Sequence, residues 1–159
     1  MAKEYKTIPE KLARFAMEQK MFFIATAVEG DDVNLSPKGV APLKVIDEKS
    51  VVYADYHGSG NKTAEHLMAG GKATLMFTSF GEEPLILRFF CRGRVVARGG
   101  GEFERLALEH YPEFDSARFR QLFMFEVYRV QRSCGYGTPL MEYLSDRSVR
   151  KYFRELWGE

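Results

Sequence analysis

The segment from Asp55 to Leu67, which reads DYHGSGNKTAEHL, has the composition of an anion-binding turn. It lies between a strand-like run, VVYAD, and a helix-like run, KTAEHLMA. Backbone N–H groups and the positive end of a helix dipole meet at such a junction, so phosphate is the expected ligand. Hydrogen bonds would come from Ser59, Asn61 and Thr63, and Lys62 would supply positive charge. The alternative is that Ser59 or Asn61 only caps the helix.

Two further segments carry polar residues that could contact an anion. SPKG, residues 36–39, is typical of a turn, but Ser36 and Lys38 could equally reach a ligand at the rim of a barrel. Residues 85–98 alternate between apolar odd positions and even positions that include arginines 88, 92, 94 and 98, which predicts a strand with one arginine face. That face could be solvated and paired with acidic neighbours, or form an oligomer contact in which one arginine meets a buried phosphate. Balanced total charge argues against a polyanion surface.

Cysteine and histidine chemistry is weakly represented. Cys134, in RSCGYGTP, could be a nucleophile with a thiolate favoured by Arg132, but no histidine lies near it in sequence to act as a base. A free cysteine is most often a small buried thiol, so a structural or ligand-contact role is preferred. The two cysteines have no metal-like spacing, and neither HExxH nor CxxC occurs. No metal site is therefore expected.

Composition indicates one globular domain spanning residues 1–159. Basic and acidic residues number 23 and 22, so the total charge does not favour nucleic acid as a partner. No apolar run reaches the length that crosses a bilayer, and the N-terminal residues lack the apolar region of a secretory signal. A cytoplasmic location, no membrane partner and two reduced cysteines are the expectations.

Short, closely spaced strands are expected to position the candidate residues. TIPEKLARFAMEQ predicts a helix capped by Thr7. The predicted strands are MFFIATAV, VNLSP, VAPLKVID, SVVYADY, KATLMFTSF, LILRFFCRGRVVA and QLFMFEVYRVQR. Helices are predicted over Asn61–Ala69, with an exit at Gly70, over EFERLALEHY, and in the tail from Ser145 to Trp157. This order predicts a small β-barrel with helical additions.

Six segments together resemble the pyridoxamine 5′-phosphate oxidase-like proteins, the FMN-binding split-barrel flavoproteins. In order they are FFIATA, VNLSPKG, VVYADYHGSGNKTAEHL, GKATLMF, LILRFFCRGRVV and VQRSCGYGTPLMEY. The resemblance is closest to a bacterial subgroup with SPKG, GSGN and SCGYG segments, and it extends from Ile8 to Trp157. It implies a mainly β fold, a six-stranded antiparallel split β-barrel, which forms a homodimer with FMN in clefts between the subunits.

The resemblance also implies which residues contact the flavin. Those that match its phosphate-binding turn are Ser59, Asn61, Lys62 and Thr63. The implied cationic partners of the phosphate are Lys38, Lys44 and Arg88. The residues implied to lie nearer the flavin ring are Ser36, Cys134 and Gly135. The C-terminal RxHxR-like run of the oxidase itself has no counterpart here, which argues against pyridoxamine 5′-phosphate oxidation. No catalytic acid or base is assigned.

The functional hypothesis is therefore an FMN-binding oxidoreductase that acts on an unidentified small substrate. One alternative is a flavin-binding or sensing protein without turnover. Another is a relative that binds haem or a deazaflavin in place of FMN.

Overall fold

The computed structural model describes residues 2–58 and 60–147 of the chain, and Ser59 and the residues after 147 lie outside the described part. The described part is mainly β, with three α-helices, as the sequence predicts. Its elements, in chain order, are β1 (Lys3–Tyr5), α1 (Glu10–Glu18), β2 (Met21–Ala27), β3 (Asn34–Gly39), β4 (Leu43–Val45), β5 (Ser50–Tyr56), α2 (Lys62–Met68), β6 (Lys72–Thr78), β7 (Leu85–Ala97), α3 (Gly101–His110) and β8 (Phe119–Cys134).

All strands belong to one antiparallel sheet that curls into a half-barrel. Seven strands form a continuous path in the order β3-β2-β6-β7-β8-β5-β4, and β1 pairs separately with β8. The expected count of six strands is wrong for the described residues, because two three-residue strands are added to the long ones. β1 pairs with β8 through Lys3 and Arg132, and β4 pairs with β5 through Leu43 and Tyr53.

Aromatic side chains fill the inside of the curled sheet. The rings of Phe22 and Phe77 stack with their centroids 5.5 Å apart, and Phe89 lies 5.2 Å from Phe77. Leu12 and Phe15 of α1 join the same cluster of buried residues, so the helix covers part of this core. Alternation along β2, β6 and the first half of β7 places these residues inward.

A second core lies between the sheet and α3. Phe103 and Leu106 of the helix pack in one cluster with Val96 of β7 and Leu122 of β8. β5 contributes to both cores, because its residues 51–55 are all buried. The sheet is thus covered on both sides where β5, β7 and β8 lie together.

The arginine face of β7 is only partly solvated. Arg94 forms two hydrogen bonds with the carboxylate of Glu102 on α3, at 2.6 and 3.0 Å, which agrees with the interpretation of arginines paired with acidic neighbours. Val96, on the same face, is buried because α3 covers it. The guanidinium of Arg129 lies over the ring of Phe90, and its Cζ is 3.9 Å from the ring centroid.

Helix boundaries match the sequence in one place and differ in another. α2 ends at Met68, and the predicted glycine exit follows at Gly70, which has a φ of 77°, a conformation that glycine adopts without strain. α1 begins at Glu10 with Pro9 as its N-cap, so the predicted cap at Thr7 is wrong. The Ile8 amide donates to the carbonyl of Glu48 at 2.7 Å, which holds this stretch outside the helix. In the tail, residues 145–147 are not helical, and most of the predicted helix there lies outside the described residues.

Candidate functional site

A cleft of about 360 Å³ lies where the end of β5, the start of α2 and the edge strand β3 meet. β3 supplies alternate side chains, since residues 34, 36 and 38 are half-buried and residues 35, 37 and 39 are exposed. The chain leaves β5 through a glycine-containing turn and enters α2, which is the junction predicted from sequence. The lining residues are Asn34, Ser36, Pro37, Lys38, Asp55, Tyr56, Gly58, Gly60, Asn61, Lys62, Thr63 and Phe123.

One wall of the cleft contains a buried carboxylate. Asp55, at the end of β5, accepts from the Lys38 ammonium at 3.3 Å and from the side-chain amide of Gln121 at 3.0 Å. The same Gln121 amide donates to the side-chain oxygen of Asn61 at 2.7 Å. These contacts tie β3, β5 and β8 to the start of α2. The negative charge of Asp55 is therefore compensated within the site.

A second network joins α2 to the loop between β2 and β3. Lys62 donates to the carboxylate of Asp31 at 2.7 Å, and this hydrogen bond lowers the pKa of Asp31 and raises the pKa of Lys62. The buried His66 ring lies 3.3 Å from the same carboxylate and 3.0 Å from the hydroxyl of Thr26. The Asn34 amide donates to the hydroxyls of Thr26 and Thr63, each at 3.1 Å. His66 is thus committed to packing and hydrogen bonding inside the fold.

The Arg120 side chain reaches the glycine turn from β8. Its guanidinium donates to the carbonyl of Gly60 at 2.8 Å, to the side-chain oxygen of Asn61 at 3.2 Å and to the carbonyl of Gly58. Asn61 makes no side-chain cap on α2, because its oxygen faces Arg120 and Gln121 instead. The simple capping alternative for Asn61 is therefore wrong.

The structure brings together half of the residues implicated by the sequence. The predicted residues that line the cleft are Ser36, Lys38, Asn61, Lys62 and Thr63. Ser59 lies outside the described residues. Asp31, Arg120 and Gln121 were missed, because no motif or spacing in the sequence relates them to the turn. Asp55 belongs to the quoted segment, but its type and position alone predict no role for it.

The other predicted residues lie elsewhere in the described part of the chain. Lys44 pairs with Glu113 at 2.7 Å, beside the rings of Tyr111 and Phe114. Arg88 donates to the hydroxyl of Ser133 at 3.2 Å. The remaining two, Cys134 and Gly135, follow one another at the end of β8.

The thiol of Cys134 is exposed, so the expectation of a buried thiol is wrong at this position. Gly135 follows directly and donates its amide to the carbonyl of Pro84 at 2.8 Å. Burial instead characterises Cys91, and it raises the pKa of that thiol.

In residues 2–58 and 60–147 no group of three or more His, Cys, Asp or Glu side chains is placed to hold a metal ion. None of the helices described is long and apolar enough to span a bilayer.

The donor set of the cleft suits a phosphate group. Lys38 and Lys62 bring two ammonium groups to its walls, and Ser36 and Thr63 bring hydroxyls. An ammonium has three N–H donors, so a lysine that pairs with one carboxylate can also donate to a phosphate oxygen. Tyr56 and Phe123 add aromatic surface to the lining. FMN, which combines a phosphate with a planar apolar ring system, is compatible with these residues.

Comparison with known proteins identifies relatives that cover most of the chain. The family model for pyridoxamine 5′-phosphate oxidase matches residues 8–134. The pyridoxamine 5′-phosphate oxidase family protein ustO of Aspergillus flavus is 34% identical over 149 residues, which cover 89% of this chain and 58% of ustO. The chain therefore spans little more than half the length of that relative.

Solved structures of low sequence identity share the fold. A crystal structure described as a putative pyridoxamine 5′-phosphate oxidase from Lactobacillus delbrueckii has a TM-score of 0.64 at 13% identity, covering 79% of this chain and 94% of that one. HutZ, the heme storage protein from Vibrio cholerae, has a TM-score of 0.55 at 14% identity, with 81% and 97% covered. A FAD-binding protein from Mesorhizobium loti has a TM-score of 0.51 at 12% identity, with 83% and 97% covered. These likenesses confirm the predicted split-barrel fold.

Proposed function

We propose that this chain, which belongs to the pyridoxamine 5′-phosphate oxidase family, binds FMN in the cleft between β3, β5 and α2 and uses it to oxidise or reduce a small substrate. One observation carries the proposal. Five residues that the family resemblance assigns to FMN come from segments far apart in sequence, and they line a single cleft. Membership of the family itself rests on the sequence match.

The phosphate end of the ligand is best accommodated near the start of α2. Lys38 of β3 and Lys62 of α2, which both line the cleft, would neutralise phosphate charge. Ser36 and Thr63 would donate hydroxyl hydrogen bonds, and Gly60 permits close approach because no atom lies within 4 Å of where its Cβ would be. The ring would extend towards the aromatic surface of Tyr56 and Phe123.

The chemistry divides between the cofactor and the chain. When bound, FMN supplies the electron transfer. The residues of this chain bind and orient it, through charge at the phosphate and apolar contact at the ring. Asp55 holds Lys38 in the cleft, and Asp31 holds Lys62, so both ammonium groups are oriented before a ligand arrives. No residue of the described part is assigned as a catalytic acid or base.

A homodimer is part of the proposal. Large apolar side chains are exposed on two segments, Val33 and Leu35 at the start of β3, and Tyr136, Leu140 and Leu144 beyond β8. Exposed apolar surface of this extent is typical of contact with another chain. The placement of FMN at the boundary between two subunits rests on the family resemblance.

A visible absorption spectrum of the purified protein, without added cofactor, is the first test. Two maxima typical of an oxidised flavin, and release of FMN on heating identified by chromatography, would support the proposal. A Soret band would instead favour haem, which the fold shared with a heme storage protein makes a specific second candidate. A colourless protein that takes up neither FMN nor haem would refute both.

A double substitution tests the position of the phosphate. Asn61→Ala with Lys62→Ala is expected to weaken FMN binding while the barrel stays folded, because Asn61 precedes α2 and Lys62 is exposed at its first position, outside both cores. Lys72→Ala, at an exposed lysine at the start of β6, is the matched control. Unchanged FMN affinity in the double variant, measured by quenching of flavin fluorescence, would show that the phosphate lies elsewhere. Turnover would be tested separately, by reduction of the bound flavin with nicotinamide nucleotides and reoxidation with acceptors.

A further inference from the structure

A β-bulge in β8 places Arg120 beside the glycine turn. Asp55 of β5 pairs with Gln121, but the next residue, Tyr56, pairs with Phe119, so Arg120 has no partner in the ladder. A bulge of this kind bends the strand and redirects the side chain of the extra residue. Here the redirected side chain points along the end of β5 and meets the chain where it turns into α2.

The contacts of Arg120 are with the backbone and the side chain of the turn. Its guanidinium donates to the carbonyls of Gly58 and Gly60 and to the side-chain oxygen of Asn61. Gln121, the next residue, donates to that same Asn61 oxygen and to Asp55. Guanidinium is suited to this arrangement because its five N–H donors form a rigid planar fork. Two adjacent residues of β8 thus hold both ends of the turn.

The turn itself has little intrinsic order. Glycine has wide backbone freedom, so a segment with two glycines loses much conformational entropy when it becomes fixed. At Gly60 the turn lies open, because no atom is within 4 Å of the place of a Cβ. The hydrogen bonds from Arg120 therefore provide much of the restraint on its conformation.

We propose that Arg120 is a positioning residue that holds Gly58, Gly60 and Asn61 in a ligand-ready arrangement at the start of α2 before any ligand is present. The guanidinium donates to oxygen atoms of the protein, so it acts through the turn. Its effect on a ligand is confined to the group that the turn contacts, the phosphate in the proposed function. The part of the inference that concerns the ligand rests on that function, and the part that concerns the free protein does not.

Three variants test the inference. Arg120→Met removes the donors and keeps an unbranched stem, and Arg120→Lys keeps the charge without the fork. Arg129→Gln is the matched control, because Arg129 is another half-buried arginine of β8, which contacts Glu4 and Phe90 instead of the turn. The measurements are amide hydrogen exchange of peptides covering residues 57–63 in the ligand-free protein, and affinities for FMN and for riboflavin, which lacks the phosphate. Circular dichroism checks that each variant folds.

Arg120→Met is expected to speed exchange in the turn peptides and to weaken FMN binding, each by about tenfold or more, because charged hydrogen bonds are lost. The affinity for riboflavin is expected to change by less than about twofold, which is the usual range for a surface substitution. Arg120→Lys should show smaller changes of the same kind, and it serves as the test if Arg120→Met does not fold. Arg129→Gln should not change amide exchange in the turn peptides.

Unchanged exchange in the turn of Arg120→Met would overturn the proposal, whatever happens to FMN. Weaker FMN binding with unchanged exchange would mean that Arg120 contacts the ligand directly, which also overturns it. If the unmodified protein binds no flavin but Arg120→Met still loosens the turn, the proposed function fails while the positioning role stands. Equal losses of FMN and riboflavin affinity would overturn the claim that the effect is specific to the phosphate.

Discussion

Replacing Lys38 by methionine separates two roles that the structure gives to this side chain. Lys38 pairs with the buried carboxylate of Asp55, and it also lines the cleft proposed for the FMN phosphate. Lys38→Met removes both interactions. Asp55→Asn removes only the charge that Lys38 compensates. The double variant therefore tests the second role, because it leaves no buried carboxylate without a counter-charge.

The magnitude follows from distance and burial. The two charges are 3.3 Å apart, and at an effective dielectric constant of about 20 they attract by about 5 kcal/mol. The side chain of Lys38 remains 26% exposed and that of Asp55 only 7%, so solvent screening and desolvation remove most of this. Lys38→Met is expected to lower the free energy of unfolding by about 2 kcal/mol, because it leaves a carboxylate buried without a counter-charge. Asp55→Asn should lower the free energy of unfolding by about 1 kcal/mol, since the Lys38 ammonium can then be hydrated by solvent.

The two readouts are urea unfolding followed by circular dichroism, and FMN titration followed by flavin fluorescence. In unfolding, the free energy lost by the double variant should be about 1–2 kcal/mol smaller than the sum of the losses in the two single variants. In titration, Lys38→Met should weaken FMN binding about tenfold to a hundredfold, and the double variant should remain at least about tenfold weaker than the unmodified protein.

Two results would refute this reasoning. Strictly additive losses in unfolding would show that the Lys38–Asp55 pair contributes nothing to stability. Full recovery of FMN affinity in the double variant would show that Lys38 only neutralises Asp55 and does not bind the phosphate.

Three other substitutions test the fold and its charges. Gly135→Ala should destabilise the protein by more than about 2 kcal/mol in urea unfolding, because the added Cβ would lie 2.8 Å from the amide nitrogen of Leu85. Gly137→Ala is the control. It should leave stability nearly unchanged, because no atom lies within 4 Å of its added Cβ. Tyr111→Phe should lower the free energy of unfolding by about 1–2 kcal/mol in the same assay, because the buried hydroxyl donates to the carbonyl of Pro42 at 2.9 Å. Undiminished stability would show that this hydrogen bond is not needed. Asp31→Asn should reduce stability at neutral pH and lose that effect in acid. Lys62 lowers the pKa of Asp31 in the folded state, so the stabilisation is present above its usual value of 3.8 and disappears as pH falls below it. A difference between the two proteins that persists at pH 2 would contradict the Asp31 assignment.

Local features of the cleft were predictable because they depend on neighbouring residues. The strand, glycine turn and helix of residues 51–69 follow from local composition, and so does the left-handed exit at Gly70. Alternation in β7 is confirmed up to Cys91, where the odd residues are buried. It fails at Val96, because the helix that buries this residue follows later in the chain.

Features that depend on pairing between distant strands were not predictable. Arg120 faces the turn because of a one-residue shift in the register between β5 and β8, and nothing near Arg120 in sequence encodes that shift. Lys44 was grouped with Lys38 through the family resemblance. In the structure β4 directs it towards Glu113, a residue 69 positions away. The pairing of Asp31 with Lys62 likewise joins a hairpin loop to a helix 31 residues later.

The position of β3 at the edge of the sheet has an evolutionary consequence. None of its six residues is fully buried, yet Ser36 and Lys38 form one wall of the cleft. Substitutions at these positions can alter what the cleft recognises without disturbing the aromatic core, which β2, β6 and β7 carry. Ligand preference and folding can therefore diverge independently in this architecture. A library randomised at residues 36 and 38 would sample new ligands on an unchanged scaffold.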